Sequence, residues 1–150
     1  MDRRGLLRTG LLPAIVALAG CLSDGGGGGT PAEPTVTDTE FAVLGRTSGS
    51  QTDDATVTFD DATVTVEGTI WGSDGCQTAV LDSADYDAAA DELTVAVAEA
   101  TREDAGDACT QAIVETEYRA RVAFDGGFPG TVVVTHDHGD GPQQVTTASA

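Results

Sequence analysis

Apolar and polar residues alternate with a period of two along most of the chain. In segment 62–72, Val64, Val66 and Ile70 fall on one face, with threonines and a glutamate on the other. Segment 113–124 repeats the pattern over twelve residues. This period is typical of strands with one buried face. One face of the second segment carries Val114, Tyr118, Ala120, Val122 and Phe124, and the other carries Glu115, Glu117, Arg119 and Arg121.

Shorter runs of the same kind predict five further strands, at 41–47, 55–59, 78–86, 93–98 and 130–136. Turn-forming aspartates and glycines separate them. Many short strands with frequent turns favour two packed sheets. We therefore predict an all-β fold, an antiparallel β-sandwich of about seven strands that is immunoglobulin-like in style.

The first 20 residues differ from this pattern. Met1 to Arg8 is basic, 10–19 is an apolar run interrupted by Pro13, and small residues come directly before Cys21. The run is too short to span a bilayer as a helix, and the three-part layout is typical of an export signal. An uncleaved membrane anchor is the alternative.

Two motifs in this segment resemble those of a known class. Arg3-Arg4-Gly5-Leu6-Leu7-Arg8 is similar to a twin-arginine export motif, and Leu18-Ala19-Gly20-Cys21 is similar to a lipobox. Together with the acidity described below, they resemble the lipoproteins of salt-loving archaea. The resemblance implies export and a lipid on Cys21. It also implies an extracellular location, held on the outer face of the cell membrane.

These observations divide the chain into four parts. Residues 1–20 are the export signal, and 21–38 are the lipidated cysteine and a flexible linker containing five consecutive glycines, prolines and threonines. Residues 39–138 are the β-sandwich, and 139–150 are expected to be a flexible tail.

The charge is strongly one-sided. The chain has 25 acidic and 7 basic residues, none of them lysine, for a net charge of −18. Such a chain repels nucleic acid, so we expect no nucleic-acid partner. At molar salt the Debye length is about 3 Å, and like charges hardly interact. The acidity therefore favours an adaptation to high salt.

Three cysteines are an odd number. If Cys21 carries the lipid, Cys76 and Cys109 remain as a pair, and a disulfide persists outside the cell. A metal site or a reactive thiol is the alternative. Trp71, the only tryptophan, lies five residues before Cys76. We expect it to cover the disulfide or to complete the core, and stacking on a ligand is the alternative.

His136-Asp137-His138 is the sharpest candidate for chemistry. On a strand, residues i and i+2 point the same way, so two imidazoles are able to bind one divalent metal ion. The sequence assigns no third ligand, and polar residues at a strand end are the plainer interpretation. The acidic run 82–92 is a weaker candidate for calcium, because it does not match an EF-hand loop. Arg119 and Arg121 form either an anion-binding pair or ion pairs with nearby acids.

No motif of a nucleophilic enzyme or of a phosphate-binding loop occurs in the sequence. The leading hypothesis is therefore a non-enzymatic surface module without a cofactor, which binds an envelope protein or a small ligand. A second hypothesis is an inhibitor or accessory factor of a secreted enzyme. A third is a metal-binding protein or metalloenzyme that uses His136 and His138.

The lipid anchor can be tested directly. Because only a cysteine thiol accepts the lipid, Cys21→Ser should release the protein to the medium or leave it as an unprocessed precursor. Fractionation of cells followed by immunoblotting measures both outcomes. A variant that is processed and still bound to the membrane would place the anchor elsewhere.

Overall fold

The computed structural model describes residues 33–150, and the predicted export motif with Arg3, Arg4 and Cys21 lies outside them. Nothing in the described part is a helix long and apolar enough to cross a membrane. The described residues form eight strands: β1 Thr35–Ser48, β2 Asp54–Asp60, β3 Thr63–Gly72, β4 Gln77–Asp87, β5 Glu92–Thr101, β6 Val114–Asp125, β7 Thr131–Asp137 and β8 Pro142–Ser149.

The strands form two sheets of four. The first sheet has the order β1-β6-β3-β2, and the second has the order β4-β5-β7-β8. In the first sheet every pair is antiparallel. In the second, β5 pairs with β7 in parallel. The all-β sandwich is thus confirmed.

The core lies between the sheets and is built from the faces that the sequence pattern predicts. Val64, Val66 and Ile70 of β3 are at most 1% exposed. The apolar face of β6 is buried as well, and its charged face is exposed or half-exposed. Leu93, Val95, Val97, Val132 and Val134 of the second sheet complete the core. Each valine-sized side chain contributes about 1.5–3 kcal/mol by burial.

Three expectations need correction. Segment 139–150 is not a tail, because β8 pairs with β7 along most of its length. Its side chains are mostly polar, so backbone hydrogen bonds rather than apolar periodicity define this edge strand. Similarly, β1 begins at Thr35, inside the predicted linker, where Val36 packs against the core. The sandwich is mixed rather than antiparallel, since the chain crosses to the first sheet as β6 and returns as β7 in the direction of β5.

The predicted disulfide between Cys76 and Cys109 is confirmed, with Cα atoms 5.4 Å apart and a sequence separation of 33. It joins the loop after β3 to the long loop before β6. In the chain-entropy model, closing a loop of this length stabilises the fold by about 3–4 kcal/mol.

The hairpin between β2 and β3 turns through Asp61 and Ala62, whose φ angles are 47° and 61°. Two consecutive positive φ angles are typical of a type I′ turn, which matches the twist of the paired strands. The second position of this turn usually holds glycine, because a Cβ is strained in the left-handed region.

Ala62→Gly should therefore stabilise the domain by about 0.5–1 kcal/mol, since it removes the Cβ strain at an exposed position. Urea unfolding followed by circular dichroism measures the change. The matched control is Ala89→Gly in the exposed β4–β5 turn, where φ is not positive. Ala89→Gly should lower the stability of the domain, because glycine raises the conformational entropy of the unfolded chain and relieves no strain at this position. Equal effects of the two substitutions would contradict the strain at Ala62.

Candidate functional site

Both sheets contribute polar side chains to one end of the sandwich. Asp53 directly precedes β2 and Trp71 is near the end of β3, while Glu99 is near the end of β5 and His136 near the end of β7. His138 follows β7 directly. These residues line a cleft of about 500 Å³, here called the histidine cleft, whose remaining wall includes residues between Asp140 and Val145.

The two histidines converge, as expected from their spacing, and Asp53 lies between them. His136 Nδ1 is 2.8 Å from Asp53 Oδ1, and His138 Nε2 is 3.0 Å from both carboxylate oxygens. Asp53 is 83 residues from His136 in sequence, so only the packing of the sheets reveals this third partner. The intervening Asp137 points elsewhere and accepts the backbone N–H groups of Gly139 and Gly141.

Each ring nitrogen of His138 faces a carboxylate. Nε2 contacts Asp53, and Nδ1 is 3.1 Å from Glu99 Oε2. Ionised carboxylates only accept hydrogen bonds, so the doubly protonated imidazolium satisfies both contacts. Trp71 stacks on this ring, with centroids 4.4 Å apart and an interplanar angle of 22°. The stacking suits a cation on an aromatic face.

Trp71 is not part of the apolar core, so the expectation that it completes the core is wrong. Its indole Nε1 donates to Asp53 Oδ2 at 3.0 Å, and its ring forms a wall of the histidine cleft. The indole anchors the same carboxylate that contacts both histidines. Asp53 thus accepts from three side chains, which fixes the orientation of its two oxygens.

His136 is only 1% exposed, and burial lowers its pKa, with the neighbouring Asp53 acting in the opposite direction. The neutral ring donates from Nδ1 to Asp53. Its Nε2 then accepts from the Tyr118 hydroxyl at 2.8 Å. Burial raises the pKa of Tyr118, and the nearby charges of Asp54 and Asp53 raise it further, so this phenol stays protonated.

Gly68 makes room for the Tyr118 hydroxyl. The two residues are paired across β3 and β6, and a Cβ at Gly68 would lie 2.6 Å from the Tyr118 hydroxyl oxygen. A glycine at an inward position of a strand signals such a close approach. The sequence contained this signal, between Val66 and Ile70, although it did not identify Tyr118 as the neighbour.

Glu99 is positioned by the turn after β3. Its Oε1 accepts from the Ser73 backbone N–H at 3.2 Å and from the Ser73 hydroxyl at 2.9 Å, leaving Oε2 for His138. Three residues further along, Cys76 ties this turn to Cys109 through the disulfide. The covalent bond therefore restrains the loop that holds Glu99 in place.

The other candidates lie outside the cleft. Arg119 forms an ion pair with Glu67, with Nε at 2.7 Å and Nη2 at 2.6 Å from Oε1. Arg121 lines a separate, shallow groove of about 280 Å³ with Arg119 and Phe41. The hypothesis of an anion-binding pair is weakened, because Glu67 already balances one of the two charges.

Two carboxylates of the acidic run accept hydrogen bonds at the turn between β4 and β5. Asp87 Oδ1 accepts the backbone N–H groups of Ala89 and Ala90. Asp91 Oδ1 accepts the Tyr86 hydroxyl at 2.7 Å, and this hydrogen bond raises the pKa of Tyr86 to about 12. These contacts account for Asp87 and Asp91, two of the carboxylates in this run.

Within residues 33–150, only Asp74, Cys76 and Cys109 bring three potential ligand atoms within 4.8 Å of one another. Both sulfurs there belong to the disulfide, so this group has no thiolate to offer a metal. In the histidine cleft the two imidazoles are joined through Asp53 rather than to each other.

Tyr118→Phe should destabilise the domain by about 1–3 kcal/mol, because it leaves the buried His136 Nε2 without a donor. Thermal or urea unfolding in the presence of EDTA measures the change. Tyr86→Phe is the matched control, since it removes a solvent-exposed hydroxyl, and its effect should be smaller. A Tyr118→Phe variant as stable as the wild type would show that this hydrogen bond is not needed.

Comparison with known proteins does not indicate a function for this chain. No family model, no curated protein and no solved structure matches this chain. A β-sandwich supports many unrelated activities, so the fold alone does not indicate one. The chemistry of the histidine cleft is therefore the basis on which a function is assigned.

Proposed function

We propose that this chain is a lipid-anchored module on the outer face of the cell membrane, which binds a small cationic ligand in the histidine cleft without catalysis. The leader and Cys21 support the location. The observation that carries the binding role is the cleft itself, in which carboxylates from both sheets surround an open space next to an indole.

The charges in the cleft favour a cation. Asp53, Glu99 and Asp140 line it, and the histidines are the only basic side chains among its lining residues. Trp71 adds an aromatic wall, one face of which stacks on the His138 ring. A cationic ligand therefore gains from attraction to the carboxylates.

The hydrogen bonds favour binding rather than nucleophilic catalysis. An activated nucleophile donates to a histidine or another base. Here the Ser73 hydroxyl donates to Glu99, whereas the histidines contact carboxylates and a phenol. The hypotheses of an envelope-protein partner and of an enzyme inhibitor stay predictions, since no contact described above favours either.

The strand register separates the cleft from the point where the chain enters the domain. Thr35, the first residue of β1, pairs with Asp125 at the end of β6. Gly72, next to Trp71, pairs with Val114 at the start of β6. These two points are eleven residues apart along β6, or about 35 Å at the usual rise of a strand. This separation places the cleft and the first residue of β1 at different ends of β6.

Trp71 provides a built-in probe, because it is the only tryptophan and lines the cleft. Titrating the purified full-length protein in molar potassium chloride with tetramethylammonium, putrescine and Zn²⁺ should change its fluorescence for at least one of these cations. Asp53→Asn should weaken that binding by about tenfold or more, because it removes a charge that is anchored by three donors.

Asp85→Asn is the matched control, since it makes the same charge change at an exposed position of β4 outside the cleft. It should bind like the wild type. The absence of a fluorescence change and of calorimetric heat with all three cations would refute the proposed binding role. Equal weakening by both substitutions would show that overall charge, and not the cleft, attracts the cation.

A further inference from the structure

The donor atoms of the histidine cleft match a specific class of cation. His136 Nδ1 and His138 Nε2 both approach the Asp53 carboxylate, at 2.8 and 3.0 Å. We propose that these three groups bind one divalent transition-metal ion of the Zn²⁺, Ni²⁺ or Cu²⁺ type. This inference rests on the proposed function and names the ligand class of the same cleft.

The ligand set selects among cations. Imidazole nitrogens suit zinc, copper and nickel, whereas calcium and magnesium prefer sites made of oxygen atoms alone. Open zinc sites have three protein ligands, and two imidazoles with one carboxylate are one such set. Water or a ligand takes the fourth position. The cleft leaves that position accessible, beside Asp140 and Gln143.

Hydrogen bonds already orient the ligands from behind. A metal-bound histidine usually donates its other N–H to a carboxylate or a comparable acceptor, which fixes the ring and raises its basicity. His138 Nδ1 faces Glu99, and His136 Nε2 faces the Tyr118 hydroxyl. Glu99 is itself held by Ser73. Both rings therefore have an outer partner on the side away from Asp53.

Metal binding requires a defined change of protonation. A metal-bound His138 carries no proton on Nε2, and its Nδ1–H donates to Glu99. The neutral His136 carries its proton on Nε2 instead of Nδ1, and the Tyr118 oxygen accepts it. The ion then takes the place of the hydrogens that lie between the two rings and Asp53.

The required movement is small at Asp53. In a tetrahedral site with bonds of about 2.0–2.1 Å, neighbouring ligand atoms are about 3.3 Å apart. The contacts of 2.8 and 3.0 Å between Asp53 and the imidazoles therefore lengthen by only a few tenths of an ångström. The larger movement is at the two rings, whose facing nitrogens lie more than 4.8 Å apart and must approach each other by more than about 1.5 Å. His138 has room for it, because its side chain is 18% exposed at the mouth of the cleft.

The test uses full-length protein purified without a histidine tag and stripped with EDTA. Titration with Co²⁺ should give one equivalent of binding with visible absorption bands, and Zn²⁺ should displace the cobalt. His138→Gln and Asp53→Asn should weaken binding by more than about 100-fold, and Glu99→Gln by about 10–100-fold through the His138 ring. Circular dichroism checks that each variant is folded.

Two controls locate the site. Asp85→Asn should leave metal binding unchanged, and so should Asp74→Asn beside the disulfide. The assignment would be overturned if His138→Gln, Asp53→Asn and Glu99→Gln bound Co²⁺ as tightly as the wild type. It would also be overturned if the wild type bound no cobalt. If tetramethylammonium or putrescine changes Trp71 fluorescence while Co²⁺ and Zn²⁺ do not bind, the metal proposal fails and the proposed binding of an organic cation stands. If none of these cations binds, both proposals fail.

Discussion

One carboxylate joins the two sheets at the end of the sandwich that carries the cleft. Asp53 comes from the first sheet's side and accepts from Trp71 of the same sheet and from both histidines of the second sheet. The core between the sheets is built from apolar side chains, which pack without directional requirements. At this end the directional hydrogen bonds of Asp53 decide how the strand ends are placed.

Neighbouring residues supply the remaining hydrogen-bond partners of the two histidines that contact Asp53. Tyr118 supplies the donor that the buried His136 needs, and Gly68 leaves space for its hydroxyl. Glu99 accepts from His138 and is fixed by Ser73. A buried polar network is stabilising only when its members are satisfied, because an unpaired group retains its full desolvation cost. The same network directs both imidazoles towards the Asp53 carboxylate.

The carboxylates of the cleft have different hydrogen-bond partners from those of the β4–β5 turn. In the β4–β5 turn, Asp87 and Asp91 accept hydrogen bonds from the turn itself and from Tyr86. Asp53 and Glu99 instead face the only two histidines of the chain. Carboxylates that bind their own turn are explained by local structure, whereas carboxylates that face imidazoles across two sheets form a candidate site.

The sequence alone determined the strands with one apolar and one polar face, because side chains alternate strictly along a strand and burial selects apolar residues at every second position. Val64 and Val66 on β3 and Tyr118 on β6 were assigned correctly for this reason, and the pairing of Cys76 with Cys109 followed from cysteine number. The same argument missed β8, whose polar edge has no apolar period. It also placed His136 and His138 on one side but left them without a third partner. Asp53 and Glu99 lie 83 and 39 residues from these histidines, and only the packing of the two sheets brings them together, since no local pattern encodes a contact across that separation.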